Sequence, residues 1–183
     1  MHDLTQYSRR RVQIIELCEL GLRPSFIQEA VPGFRTEEII RMYQAVQGKR
    51  SSKGNMPAKD AKFLYNEHTT HQLCLHGSIL GRCMDILRRH PLADAVVLIT
   101  AYREYLRLIH PGEAFIDANR AWTMVQAFRN NKLELIRCST CHAEYVDGYR
   151  MRSNSCPICF TLRKRELYQD AHLALQALAE CSS

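Results

Sequence analysis

The chain has 183 residues, of which 46% are hydrophobic and 24% charged, with a formal net charge of +6. That length accommodates one core of ordinary size and a small appended module that cannot bury enough apolar surface alone. The first residues hold no apolar signal segment, and no stretch approaches the length of a membrane span, so we expect a cytoplasmic protein without membrane contact. The basic balance is compatible with nucleic acid as a partner but does not require it.

The beginning of the chain predicts a helix-turn-helix-like segment over about residues 11–48. Apolar residues recur with helical spacing up to residue 20, and Pro24 suits the first turn of a second helix over 24–30. After a Pro-Gly turn, Thr36 is expected to cap a third helix, which continues to Gly48.

The third helix of this segment and the loop after it are candidates for contact with DNA. A helix-turn-helix places its last helix in the major groove, and the basic loop over 48–54 suits phosphate contacts that position without reading sequence. A packing subdomain or partner surface, followed by a solvated linker, stays open as the alternative. The candidate DNA-binding residues are Arg35, Arg41, Gln44, Lys49, Arg50 and Lys53.

Longer helices are predicted between about residues 60 and 131, where they would form a bundle, so the expected fold class is mainly α. Prolines at 91 and 111 separate the helices, and Asp117 is expected to cap the last one. Trp122 is expected to lie in the core. The apolar stripe of the middle helix consists of Leu92, Val96, Ile99, Leu106 and Ile109.

Two histidines in the bundle region, His68 and His71, lie three residues apart with Glu67 beside them. A zinc protease would need the glutamate inside a His-Glu-x-x-His frame, which this order does not supply. A structural role is therefore favoured, with a weak second metal site or metal-dependent enzyme as the alternative. The sequence contains no phosphate loop, dinucleotide turn or nucleophile elbow, so we expect no enzymatic activity.

Four cysteines form two matched pairs, Cys138-Ser-Thr-Cys141 and Cys156-Pro-Ile-Cys159. Two such knuckles can supply the closed tetrahedral thiolate site that structural zinc prefers, so we expect one structural Zn²⁺ per chain. Redox or iron–sulfur chemistry is the alternative. His142 follows the first pair directly and is expected to point away from the metal. The other cysteines are expected to be reduced: Cys18, Cys74, Cys83 and Cys181.

Alternating residues on both sides of the first knuckle predict short strands over 132–137 and 143–146, which together form a zinc-ribbon-like hairpin. The chain therefore divides into an all-α body over 1–131 and a four-cysteine zinc-binding module with a terminal helix over 132–183. Basic and acidic side chains are equal in number over 138–183, so the positive excess lies before the first knuckle.

Three stretches of the chain form a recognisable set: Ala-Tyr-Arg-Glu-Tyr-Leu at 101–106, Asn-Arg-Ala-Trp-Thr-Met-Val at 119–125, and Leu-Glu-Leu at 133–135 leading into the cysteine quartet. Together they resemble the bacterial FlhC family of flagellar transcriptional activators. The resemblance extends from about residue 11 to about residue 165, and the segment 168–183 is not distinctive of the family.

The resemblance implies a DNA-binding activator subunit that works with a smaller partner, FlhD, at promoters of flagellar (class 2) operons. It implies a hetero-oligomer of two such chains with four partner chains, assistance to RNA polymerase, and one zinc ion held by the four cysteines. A zinc-stabilised protein-interaction adaptor without direct DNA contact is the alternative, based on the neutral charge balance of the cysteine region.

Overall fold

The computed structural model describes residues 2–51, 61–64, 70–109, 112–147 and 156–163. The expected fold class is confirmed, because these residues are mainly helical and contain one small antiparallel sheet. The helices are α1 (His2–Glu19), α2 (Pro24–Ala30), α3 (Thr36–Gln47), α4 (His71–Arg88), α5 (Asp94–Leu108) and α6 (Ala118–Arg129). A 3-10 turn occupies Lys62–Leu64, the strands are β1 (Glu134–Arg137) and β2 (Glu144–Asp147), and residues 157–163 are helical.

The N-terminal segment has the expected order of helix, helix, turn and helix, with α1 and α2 both packed against α3. Gly48 ends α3 in the left-handed conformation, with φ of 66°, and its N–H donates to the carbonyl of Gln44. The helix α1 begins well before the expected residue 11. Its side chains from Leu4 to Val12 are all exposed, so no apolar stripe indicated the extra turns.

The expectation that Thr36 caps α3 was wrong. Arg35 occupies the cap position without a side-chain hydrogen bond, and Thr36 is the first helical residue. The Thr36 hydroxyl lies 2.9 Å from the Gln28 Oε1 on α2, to which it donates. The hydroxyl therefore connects α2 to α3 across the turn instead of satisfying the helix terminus.

The helices α4, α5 and α6 pack together as the bundle. Asp117 caps α6 as expected, accepting a hydrogen bond of 2.8 Å from the Arg120 N–H. Trp122 is 1% exposed and belongs to the main core, which confirms its expected position.

The expected apolar stripe of α5 was mostly wrong, because Ile99 alone of its five members is fully buried. Tyrosines form much of the true inner face, and their hydroxyls have polar partners that permit burial. The Tyr102 hydroxyl donates to the Ile116 carbonyl at 3.0 Å, and the Tyr105 hydroxyl lies 2.8 Å from Nδ1 of His76. The buried residues of α5 are Ala95, Val97, Leu98, Ile99, Ala101, Tyr102 and Tyr105.

The N-terminal helices and the bundle share one hydrophobic core. Arg103 on α5 forms ion pairs with Glu16 and Glu19 on α1, at 2.7 and 3.5 Å. The backbone N–H of Arg23 donates to the Asn119 side chain at 2.9 Å. These links join α1 and the start of α2 to the bundle. Because α1 and α2 both pack against α3, the position of α3 depends on the bundle as well as on its own turn.

The predicted hairpin is present and lies on α4, with Arg137 of β1 paired to Glu144 of β2. The buried Val146 side chain belongs to the main core, and its N–H donates to the Ser78 hydroxyl at 3.2 Å. An ion pair joins Arg82 of α4 to Glu144. Within the part of the chain that the structure describes, no helix is both long and apolar enough to cross a membrane.

Candidate metal centre and basic surface

The hairpin turn shapes the first cysteine knuckle. Cys138 follows β1 directly, its N–H donates to the Ala143 carbonyl at 2.9 Å, and the His142 N–H donates back to the Cys138 carbonyl at 3.0 Å. The Thr140 N–H points at the Cys138 sulfur from 3.4 Å. These bonds hold the Cys138 and Cys141 side chains on one side of a tight turn.

The second knuckle uses the start of a helical segment. Cys156 lies immediately before the helical residues 157–163, and the Cys159 N–H donates to the Cys156 sulfur at 3.3 Å. Phe160 in the same segment stacks on His71 at the start of α4, with ring centroids 3.5 Å apart. The stacking connects the second knuckle to the bundle, while the hairpin connects the first.

The two knuckles bring all four sulfurs within 4.8 Å of one another. The Cys138 and Cys159 sulfurs are 3.9 Å apart, and the Cys141 and Cys156 sulfurs are 3.5 Å apart. Tetrahedral coordination with Zn–S bonds of about 2.3 Å requires sulfur separations of about 3.8 Å. The donor set and its spacing therefore fit a metal ion that prefers four thiolates, and zinc is compatible with both.

The electrostatics of the quartet also favour a cation. Backbone N–H groups of Cys141 and Thr140 donate to the Cys138 sulfur and lower its pKa to about 6. The neighbouring Cys141 side chain instead raises the pKa of Cys159 to about 12, and burial raises the pKa of Cys156. Without a cation, then, one sulfur favours the thiolate while others resist it; a divalent ion would stabilise the thiolate at each position.

His142 lies beside the quartet but is not part of the metal-ligating group that the structure identifies. Its side chain is exposed, and its φ of 59° places it in the left-handed region. The backbone carbonyl of His142 accepts a hydrogen bond of 3.1 Å from Arg137. The role of His142 here is therefore to close the knuckle turn.

The candidate DNA-binding residues lie around α3 but do not form one surface. Arg35 and Arg41 line a cleft between α1 and α3, whereas Gln44 and Arg50 line another between α2 and α3. Gln44 is half-buried, and the other four described candidates, Arg35, Arg41, Lys49 and Arg50, are exposed. Lys53 lies outside the described residues.

Ion pairing separates the basic residues of the N-terminal helices from those of the bundle. Each of five bundle arginines has a carboxylate partner: Arg82, Arg89, Arg103, Arg107 and Arg129. By contrast, seven basic residues between positions 9 and 50 form no ion pair within the described part of the chain: Arg9, Arg10, Arg11, Arg35, Arg41, Lys49 and Arg50. Among the described residues, basic side chains without an ion pair are therefore most numerous on α1, α3 and the following loop, although Arg120 and Arg137 also have none.

The sequence did not predict two surface features, one on the basic surface and one on the helical bundle. The first feature is the run Arg9-Arg10-Arg11 on the exposed half of α1, which is a charge cluster visible in the sequence.

The second feature is a groove of about 830 Å³ between α4 and α5, where Ile86 and Leu108 are 52% and 56% exposed. Its apolar lining includes Leu75, Ile79, Ile86, Leu87, Ile99 and Leu108.

The proposed second metal site at His68 and His71 finds no support in the described residues. The helix α4 begins at His71, whose ring stacks on Phe160, and Thr70 caps the helix by accepting from the Leu73 N–H. His68 lies outside the described residues. His71 therefore has a packing role in attaching the second knuckle to α4.

Comparison with known proteins gives a consistent result. Residues 4–165 match the family model described as "Flagellar transcriptional activator (FlhC)". A flagellar transcriptional regulator FlhC from Variovorax paradoxus is 31% identical over 141 residues, covering 75% of this chain and 67% of the relative. Another from Gallionella capsiferriformans is 30% identical over 150 residues, covering 79% of each.

Proposed function

Because the chain belongs to the FlhC family of flagellar transcriptional activators, we propose that it is the DNA-binding activator subunit of a hetero-oligomer with an FlhD-type partner. It acts in the cytoplasm at promoters of flagellar operons and assists RNA polymerase. Two copies of this chain combine with four partner chains. One zinc ion, held by Cys138, Cys141, Cys156 and Cys159, stabilises the region that carries them.

The observation that carries the DNA-binding role is the set of basic residues on α1, α3 and the loop after α3 that have no ion pair with another described residue. Surface arginines that already hold a carboxylate lose that contact when they bind phosphate, whereas Arg35 and Arg50 have no such contact among the residues that the structure describes. The shape of the segment also supports the role, since α3 follows a Pro-Gly turn and is exposed along its outer face. The fold as a whole does not decide the function, so the proposal depends on the charge of this face.

The test of DNA binding compares promoter and scrambled duplexes. Fluorescence anisotropy is measured for the chain alone and for the chain with its FlhD-type partner, over a series of salt concentrations. We expect preferential binding of the promoter by the complex and a decrease in log affinity with log salt of about 0.9 for each phosphate contact. Negligible affinity for both duplexes would instead favour the adaptor without DNA contact.

The zinc ion is proposed as a structural component that supplies the energy to fold a region too small to fold alone. Metal analysis of the purified chain should give one zinc per chain, and Cys138→Ser or Cys156→Ser should abolish it. Cys83→Ser is the matched control, because Cys83 is half-buried on α4 and outside the quartet. More than one metal per chain, or full retention in the Cys138 variant, would contradict this assignment.

The groove between α4 and α5 is proposed as a contact surface for the FlhD-type partner. Its charged residues are largely satisfied within the chain, since Arg82 pairs with Glu144 and Arg107 with Glu104. What remains available to a partner is the apolar part, including Ile86 and Leu108. Exposed apolar surface of this kind is a common feature of protein interfaces.

A pair of substitutions tests the groove. Ile86→Glu places a charge among the apolar side chains, and a hot-spot loss of about 2 kcal/mol weakens partner binding by roughly 30-fold. Leu92→Glu is the matched control, because Leu92 is 41% exposed and does not line the groove. Co-purification and sedimentation of the complex give the readout. Equal partner binding by both variants would place the partner elsewhere.

A further inference from the structure

The cleft between α1 and α3 combines charged groups from two helices. Arg11 of α1 faces Arg35, Arg41, Glu37 and Glu38 across a space of about 750 Å³. The guanidinium groups of Arg11 and Arg35 make no hydrogen bond or ion pair with any described residue, and the Arg41 Nε donates only to the Glu37 carbonyl, at 3.4 Å. Three guanidinium groups therefore surround a solvent-filled space, and within the described chain two of them have no polar partner.

The wall that α1 provides is held in place. The Tyr7 ring stacks on Phe34 with centroids 5.0 Å apart, and its hydroxyl donates to Glu38 at 3.0 Å. Arg10 reaches the Pro32 carbonyl in the turn before α3, at 3.5 Å. The exposed half of α1 is thus fixed beside the turn and the first residues of α3, where a helix-turn-helix approaches the DNA backbone.

The two carboxylates determine which anion suits the cleft. Glu38 accepts from Tyr7, and Glu37 lies in the first turn of α3, where the helix dipole favours a negative charge. Both reduce the local positive charge, so a multiply charged phosphate monoester gains little there. A phosphodiester carries a single negative charge and accepts from planar guanidinium groups, which matches Arg11 and Arg35.

We propose that the cleft between α1 and α3 binds a phosphodiester of the DNA backbone, with Arg11 and Arg35 as the phosphate-binding side chains from two elements. This inference rests on the proposed DNA-binding function and goes beyond it by assigning the phosphate contact to one face of α3. The contact positions α3 on the duplex and carries no base preference. Gln44 of α3 and Arg50 of the following loop line the separate cleft between α2 and α3, and they do not take part in this contact.

The test measures the salt dependence of binding by the complex with its FlhD-type partner. The variants are Arg11→Gln, Arg35→Gln and the double substitution, with Arg89→Gln as the control, because Arg89 is exposed and paired with Asp85 on α4. Because the complex holds two copies of the chain, each cleft variant should reduce the slope of log affinity against log salt by up to about 1.8, which is a loss of up to roughly 60-fold at 0.1 M salt. Promoter and scrambled duplexes should lose affinity equally, and Arg11→Lys should retain most of the slope.

The outcomes of this experiment distinguish failure of the phosphate site in the cleft from failure of the proposed DNA-binding function. An unchanged slope in the double variant, with promoter binding intact, overturns the cleft as a phosphate site and leaves the proposed function standing. A loss confined to the promoter duplex means that the arginines read bases, which also overturns it. Failure of the unmodified complex to bind any duplex overturns the proposed function itself. If anionic vesicles, and not duplexes, bind in an Arg11-dependent manner, the ligand is a lipid surface and the DNA assignment fails.

Discussion

Gly81 on α4 permits the close approach of the hairpin, and its substitution by alanine tests that contact. A Cβ at this position would lie 2.8 Å from the Val146 Cγ2 and 3.2 Å from the Phe128 Cζ. Both neighbours are buried, and the β-branched Val146 belongs to a strand paired with β1, so neither moves easily. Overpacking of this kind costs about 1–3 kcal/mol, while alanine gains about 1 kcal/mol of helix propensity over glycine. We expect a net loss of about 1 kcal/mol.

Gly77→Ala is the control for the helix-propensity gain. Gly77 lies one turn earlier on α4, and its new Cβ would lie 2.6 Å from Cδ2 of the buried Leu64. This atom is the end of a side chain whose χ2 can adjust, and Leu64 belongs to the 3-10 turn and not to the hairpin. Urea unfolding is followed by circular dichroism with zinc present. The Gly81 variant should unfold at about 1 M lower urea than the Gly77 variant, because the two differ by about 2 kcal/mol. Equal midpoints for the two variants would show that the hairpin does not pack closely on α4.

Three further predictions concern single side chains. Burial lowers the pKa of His76 below its usual 6.5, although Glu113 opposes the shift; the folded chain therefore resists protonation, and the free energy of unfolding should fall as pH drops below 6.5. His76→Gln should remove that part of the slope in urea titrations at several pH values. His142→Gly relieves the left-handed φ and should stabilise the zinc-bound chain by up to ~1 kcal/mol, whereas loss of zinc would reveal His142 as a ligand. Ser78→Ala leaves the buried Val146 N–H without its acceptor and should cost about 1–3 kcal/mol in thermal unfolding, with no loss expected if the strand shifts to another acceptor.

The sequence was informative wherever a residue type has one local use. Asp117 as a cap and Gly48 as the end of α3 were both confirmed, because short polar side chains and glycine have strong positional preferences at helix ends. The paired strands around Cys138 were confirmed for a similar reason, since a knuckle with alternating flanks has few other conformations. The boundary between a body over 1–131 and a module over 132–183 stays a prediction.

Periodicity failed where tertiary contacts decide which face is buried. Leu92, just before α5, and Leu106, near its end, are 41% and 39% exposed. Tyr102 and Tyr105 lie in the interior instead, because the surrounding residues supply hydrogen-bond partners for their hydroxyls. A single sequence does not reveal such partners, because Ile116 lies in the loop before α6 and His76 lies on α4. The exposed first half of α1 was not predicted for a different reason: a helical segment without buried residues has no apolar stripe in its sequence.

The segments that carry the metal centre also contribute to the wall of the proposed partner groove, so we expect zinc to influence partner binding. Ile158, between Cys156 and Cys159, and Glu144, at the start of β2, both line the groove. Because the binding energy of a structural metal ion contributes to folding of the region that holds it, we expect this wall of the groove to lose support when the ion is removed.

Zinc removal by a chelator should therefore weaken binding of the FlhD-type partner, and readdition of zinc should restore it. Sedimentation of the mixture measures the bound fraction, and the Ile86→Glu variant should show little additional loss on chelation because its groove is already impaired. If the partner binds the zinc-free chain with undiminished affinity, the groove wall is stable without the metal, and the partner contact does not depend on the cysteine quartet.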